Sequence, residues 1–270
     1  MTRFTPFVAA AFVAGAYAGL QAWNNGPSGN TTTNTVAECV NAPYSTHDWI
    51  ADHAIASLPD EEKAWLVPHK SLYLLGTEAP DNRTIATACK TPNRGYDDRA
   101  AGHSIEWNDA LTEMVNDRAA VRAQEEYSKA VVAFQQGEPG DAAYFLGAMA
   151  HYIGDVSQYG HSWKHEVHHG DYESWASART KAFAGGTFEV FLDPDALVRR
   201  TPYTAVRHIS RDTFAGNDDT DILPAAQMDS LFSTKPPQYI ESVGASLSTG
   251  VNELADVLHT FYLNVVDENE

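Results

Sequence analysis

The chain is short of basic residues: 18 Lys and Arg stand against 36 Asp and Glu in 270 residues, a formal net charge of −18. That deficit argues against a duplex-DNA binder, which needs a cationic footprint to displace counterions from phosphates. Cysteine is nearly absent, with Cys39 and Cys89 alone, so a thiolate-based structural zinc site is excluded. No glycine-rich phosphate loop follows a strand-like run, which sets aside the nucleotide-binding α/β folds. Strand signals are sparse, no internal repeat is found, and nothing suits a collagen, a coiled coil or a low-complexity chain. Against these absences stand 43% hydrophobic and 11% aromatic residues, enough for a globular protein with a real core at this length.

One uncharged apolar run, residues 4–20, follows Arg3 and ends near the small residue Ala22. It reads as a secretory signal peptide over residues 1–22, since it is marginal for a membrane span, which wants about 20 apolar residues. An uncleaved anchor is the alternative. In an exported chain the two cysteines are expected to form one disulfide, closing a loop of about 50 residues and contributing roughly 4 kcal/mol. Two buried free thiols are the other reading. Residues 24–35 carry no apolar side chain, so 23–44 is expected to be a flexible linker leading to a domain over 45–270.

Helix dominates that domain. Ala51, Ala54, Ile55 and Leu58 follow helical spacing, and Asp60-Glu61-Glu62 begins a new segment with acidic residues suited to a helix start. Residues 108–134 form a long helical pattern through Leu111, Met114, Val115, Ala119, Val121 and Tyr127, closed by Gly137-Glu-Pro-Gly. Residues 142–152 are apolar nearly all round, which predicts a helix buried on every side. A last helix runs through Val243, Leu247, Val251, Leu254, Leu258, Phe261 and Val265, and only 187–192 looks extended. The expected fold is all-α, a single domain of helices packed around a buried central helix.

Nine of the eleven histidines lie between residues 47 and 169. His151 and Asp155 are four apart on the apolar helix, so both leave it on one face, where an unpaired charge is costly and a bound metal removes the cost. His169 and Glu173 repeat the spacing, and His161 lies between the pairs. Imidazole with carboxylate is ligation that suits zinc. His53 and His69 read as a helix-surface and a loop histidine. His208 and His259 carry no assigned role. Glu78 is either a supporting neighbour of Asp81 or solvated, and Trp107, Trp163 and Trp175 read as packing residues.

The runs Thr46-His47-Asp-Trp-Ile50, Gly76-Thr-Glu-Ala-Pro-Asp81, Gly102-His103, His151-Tyr-Ile-Gly-Asp155 and His169-Gly-Asp-Tyr-Glu173 stand in that order over about half the chain. In them the sequence resembles the zinc-dependent phospholipases C, which share a metal framework with single-strand-specific zinc nucleases. The resemblance implies three zinc ions. Asp81, His103, His151 and Asp155 would hold the first; Asp155 would bridge to a second, also held by His47 and by the amine and carbonyl of a mature N-terminal Trp23. His161, His169 and Glu173 would hold the third, with His165 and His168 as alternatives to His169. Tyr159 stands where the family often has proline, and Trp23 lies 24 residues before His47, further than is usual.

The implied activity is hydrolysis of glycerophospholipids at a membrane or micelle surface to diradylglycerol and a phosphorylated headgroup. Clustered zinc suits it by generating hydroxide at neutral pH and holding the phosphoryl oxygens. Asp81 is the expected catalytic residue, orienting the attacking water or taking its proton. Zinc reverses the local field, so an acidic protein can still hold an anionic substrate. A single-strand nuclease or nucleotidase on the same frame, and a non-catalytic zinc-stabilised module anchored in the envelope, are the alternatives. Glu at position 173 leans towards the phospholipase.

Overall fold

The computed structural model describes residues 44–81 and 102–267. The expected signal peptide, the linker, Trp23, Cys39 and Cys89 lie outside the described residues. Among these the architecture is helical: α1 (Thr46–Ala56), α2 (Asp60–Lys63), α3 (Lys70–Glu78), α4 (Arg118–Gln135), α5 (Pro139–Val156), α6 (His169–Ser177), α7 (Pro202–Ala215), α8 (Ala225–Leu231) and α9 (Pro237–Phe261). A π-turn, Tyr262–Val266, continues α9. No helix among the described residues is long and apolar enough to cross a membrane.

The expected central helix is α5. Pro139 opens it at the first turn, where a missing N–H costs nothing, and every residue from 142 to 156 is buried. Its principal neighbours are α3 and α4, with α1, α7 and α9 completing the enclosure. On α3 the approach is closer than side chains permit. A Cβ at Gly76 would lie 2.1 Å from the Tyr144 carbonyl oxygen, and one at Gly147 would lie 1.9 Å from that of Tyr73. Glycine at both positions lets the two backbones touch. Along α4, Ala119, Ala120, Ala123, Ala130 and Ala133 form a small-residue stripe that is buried against the core.

Three expectations are corrected. The helical pattern of 108–134 becomes helix only from Arg118. Before it, Met114–Asn116 (β2) pairs antiparallel with Glu106–Trp107 (β1). The cause is local: the Asn108 side-chain carbonyl accepts from the backbone N–H of Thr112 at 2.9 Å and of Glu113 at 3.4 Å, and Leu111 takes φ 55°. An Asn that bonds its own downstream amides closes a turn in competition with a helix. Residues 187–192, expected to be extended, contain a 3₁₀ turn at Glu189–Phe191, where Glu189 accepts from Gly186 N–H at 2.8 Å. His53 is not on the surface. Its ring stacks on Phe183 at 4.4 Å and its Nε2 lies 3.0 Å from the Phe183 carbonyl oxygen.

Trp107 is buried, and Trp163 and Trp175 pack against the core as partly buried side chains. The helix start at Asp60 is present but brief, as α2.

Candidate metal centre

Four pieces of backbone converge on α5. The first is the start of α1, fixed by a capping box: Ser45 Oγ accepts from Asp48 N–H at 3.2 Å, and Ser45 N–H donates to the Asp48 carboxylate at 3.0 Å. This sets the first turn of α1, and with it His47, against α5. Thr77 and Glu78 at the end of α3 are stitched to the same cap. Thr77 Oγ1 donates to Asp48 Oδ1 at 2.7 Å, and Ser45 Oγ donates to Glu78. Glu78 is therefore buried, three residues from Asp81, and not solvated.

On α5 the i, i+4 spacing aims His151 and Asp155 to one side, and Asp155 sits among four imidazoles. Its Oδ2 lies 2.8 Å from His103 Nδ1 and 3.2 Å from His151 Nε2; its Oδ1 lies 3.5 Å from His47 Nε2 and 3.7 Å from His161 Nε2. His103 Nδ1 and His151 Nε2 are themselves 3.1 Å apart. Asp81 closes this end, 3.4 Å from His103 Nε2 and 3.8 Å from His151 Nε2. The His151 ring is held from behind, its Nδ1 2.7 Å from the Thr77 carbonyl oxygen. A carbonyl only accepts, so Nδ1 carries the proton and Nε2 keeps its lone pair towards the cluster.

The other end follows α5 directly. Gln158 Oε1 accepts from His161 N–H at 3.0 Å, which shapes the turn Tyr159–His161 and turns the His161 ring inward. His169 and Glu173, one turn apart on α6, face it: His169 Nε2 lies 2.9 Å and His161 Nε2 3.4 Å from Glu173 Oε1. His168 stacks instead on Phe232, and His165 lies against Trp163. Neither joins the group.

Three sets of side chains thus bring donor atoms within 4.8 Å of one another: His47, Asp81 and His151; His103, His151 and Asp155; and His161, His169 and Glu173. Of the nine sequence-predicted ligands, these sets gather eight, and Trp23 lies outside the described residues. His47 stands with Asp81 and His151 as well as with Asp155.

The donors fit a metal. Both ring nitrogens of His161, Asp155 Oδ1 and Asp81 Oδ2 are buried without a hydrogen bond, a costly state unless a cation uses the lone pairs. Burial, reinforced by the neighbouring His151, keeps His47 neutral down to well below the ordinary imidazole range. Asp155 is held ionised against burial by His151, His161 and His103. Those are the ligating forms. His151 and His169 behave differently: burial would lower both, but Asp155 and Asp81 raise the first, and Glu166 and Glu173 raise the second to about 10. Carboxylates that draw a proton onto an imidazole will equally draw a cation. Burial raises Asp81 above the ordinary carboxylate range, against the opposing effect of His151 and His103.

Two supporting residues are visible in the sequence as glycines. Gly154 and Gly160 interrupt an otherwise well-filled segment. A Cβ at Gly154 would sit 2.5 Å from His47 Nδ1, and one at Gly160 would sit 2.6 Å from His169 Nδ1. Both glycines make room for a ring. Gln158 and Thr77 had no such signal, because their roles depend on contacts that only the folded chain creates.

Among solved structures the chain is similar to the alpha-toxin of Clostridium absonum, with a TM-score of 0.54 and 16% identity, over 83% of this chain and 64% of the toxin. The chain therefore spans a little under two thirds of that toxin's length. An alpha-toxin of Clostridium perfringens from an avian strain also aligns, at a TM-score of 0.48 and 14% identity, over 82% of this chain and 64% of the other. No curated protein matches. The family described as zinc dependent phospholipase C matches residues 46–245, a stretch that holds α1 through the start of α9 and all eight gathered donors. The chain belongs to the zinc-dependent phospholipase C family.

Proposed function

We propose that the protein is an exported phosphodiesterase that hydrolyses glycerophospholipids between phosphate and the glycerol oxygen, releasing diradylglycerol and a phosphorylated headgroup. The observation that carries this reading is the buried convergence of four imidazoles on Asp155, within a chain of the zinc-dependent phospholipase C family. Asp81, His103, His151 and Asp155 would hold one zinc; Asp155, His47 and the amine of a mature Trp23 a second; His161, His169 and Glu173 a third. When bound, clustered zinc supplies Lewis acidity towards phosphoryl oxygens and a nucleophile at neutral pH.

The chain's own residues do the rest. Asp155, ionised and central, gathers the imidazoles of His47, His103, His151 and His161 around one carboxylate. Asp81 stands at the edge, and its Oδ2, without a hydrogen bond, accepts the proton of the attacking water. It later returns that proton to the glycerol oxygen as the ester breaks. Cleavage at this bond is indifferent to whether the tails are ester- or ether-linked.

The test is headgroup release from mixed phospholipid micelles by zinc-loaded protein beginning at Trp23, with chelated protein and single-stranded DNA alongside. Chelator-sensitive release of phosphorylated headgroup with DNA intact supports the reading. Cleaved DNA with intact lipid moves the protein to the nuclease branch, and turnover of neither by verified zinc-loaded protein favours a structural zinc module.

A further inference from the structure

The side of His169 that faces away from the cluster is not left to solvent. Glu166 Oε1 lies 3.0 Å from His169 Nδ1, with the Glu166 side chain 12% and the His169 side chain 8% exposed. The opposite nitrogen, Nε2, lies 2.9 Å from Glu173 and faces His161 across a ring separation of 4.7 Å. Gln158 approaches Nδ1 at 3.5 Å through Nε2, which is a donor, while its Oε1 is engaged by the His161 amide, so Gln158 offers Nδ1 no acceptor. Glu166 is therefore the acceptor that decides which nitrogen of His169 carries the proton. The arrangement has the same form as His151, whose Nδ1 is held by the Thr77 carbonyl oxygen, except that here the acceptor is a carboxylate from a side chain. A carboxylate on the distal nitrogen fixes the ring, selects the tautomer and makes the imidazole a better donor to a metal.

We infer that Glu166 is a positioning residue for the metal group of His161, His169 and Glu173: it holds His169 with Nδ1–H outward and the Nε2 lone pair inward, and so sets the zinc affinity of that group. This rests on the reading of His169 as a ligand. The same contact gives a reason why His169 joins the group while His165 and His168, on the same loop, do not. Glu166 is three residues before His169, where the loop closes into α6, and among the described residues its ion pair is with that ring.

Three variants and one further measurement test this. Zinc affinity and stoichiometry are measured by competition with a chromophoric chelator, without reference to activity, on full-length protein. Glu166→Ala should weaken one zinc by about 10- to 100-fold and leave the others unchanged, and Glu166→Gln, which retains an acceptor, should recover part of the loss. The loop has a second tie, the Asp229 carboxylate accepting from Val167 N–H at 3.1 Å. Asp229→Ala loosens the loop without touching His169 and should change zinc affinity by less than threefold. In zinc-loaded protein with ¹⁵N-labelled histidine, the His169 Nδ1–H should be a protected signal that is absent in Glu166→Ala. Unchanged affinity in Glu166→Ala overturns the inference, as does an equal loss in Asp229→Ala, which would reduce Glu166 to a loop anchor. His169→Ala separates the two levels: if it loses no zinc, the ligand assignment fails; if it loses one while Glu166→Ala loses none, only the role of Glu166 fails.

Discussion

Glu253 and Asp256 on α9 are about as buried as Asp155 and Glu173, at 4% and 3% exposure against 0% and 1%, and a histidine stands beside them too. There the charge is settled within the protein. Arg200 Nε lies 2.8 Å from Glu253 and 3.4 Å from Asp256, His208 Nδ1 lies 2.5 Å from Glu253, and Val198 N–H donates to Asp256 at 2.8 Å. Around Asp155 no lysine or arginine approaches among the described ion pairs, and the neighbours are imidazoles with their lone pairs converging. A guanidinium cannot be deprotonated to become a ligand. Its presence marks a structural clamp, which pins the segment before α7 to α9. Its absence around an equally buried carboxylate marks a place built for a mobile cation.

The sharpest break between the regions is substitution of the central carboxylate in each. Asp155→Ala removes the acceptor common to four histidines and should abolish zinc uptake at the two sites it would share, leaving the group of His161, His169 and Glu173, with activity falling by roughly 10³-fold or more. Metal content of the purified protein by atomic absorption checks this. A fully metallated Asp155→Ala protein would erase this difference between the two regions. In the clamp the critical residue is the cation. Arg200→Ala leaves two buried carboxylates facing only His208 and amides, and should cost about 3 kcal/mol in denaturant unfolding of the zinc-loaded protein while zinc content is unchanged.

The two regions also differ in how well the amino-acid sequence reports them. Part of the cluster was legible from helical spacing: residues four apart on a helix share a face, so His151 with Asp155 and His169 with Glu173 were pairs before any fold was known, whereas His47, Asp81 and His103 came only through the family resemblance. The buried central helix was legible for the same kind of reason, from apolar residues all round 142–152. Whatever depends on a tertiary neighbour was not. His53 lies at an ordinary helical position beside Trp49 on its own helix, and it is Phe183, 130 residues later, that stacks on its ring and takes it off the surface. The turn at Asn108 was hidden behind a helical pattern in Leu111, Met114 and Val115, because periodicity does not register one side chain capturing two amides. Glu166 and Arg200 carry no pattern at all. Arg200 matters through two carboxylates on α9, and Glu166 through one ring three residues on, a neighbour it meets only once the loop has folded.

Glycine gives a finer test. Gly154→Ala forces a Cβ to within 2.5 Å of the His47 ring, so either the ring or α5 must shift. The expected result is about a 10-fold loss of zinc affinity at the site that contains His47, read by chelator competition. Gly170→Ala, on the outer side of α6, meets nothing within 4 Å. It should leave zinc binding intact and raise stability by about 0.5 kcal/mol through helix propensity alone. Equal behaviour of the two variants would mean that the glycine at 154 serves the helix and not the ring.

The smallest effect separates the regions by sign. His208 is half-exposed and is raised above the ordinary imidazole range by its hydrogen bond to Glu253, against the lowering effect of burial. A group whose folded pKa lies above its unfolded one contributes stability that is complete below the unfolded value, about 6.5, and is lost as pH rises through the folded value. His208→Gln should therefore be less stable than the parent at pH 5.5, by about 0.5 kcal/mol after discounting for solvent screening, and the gap should close in alkali. At the metal cluster the dependence reverses with loading. Chelated protein should lose stability between pH 6.5 and about 10 as His169 gives up the proton that Glu166 and Glu173 hold on it. Zinc-loaded protein should instead gain stability with rising pH over the acid side of that range, because zinc competes with protons for the same imidazoles and its uptake releases them. Paired unfolding curves with and without chelator, for parent and His208→Gln, measure both slopes. A chelator-independent slope from the cluster would mean that its imidazoles are paired with carboxylates alone, as His208 is.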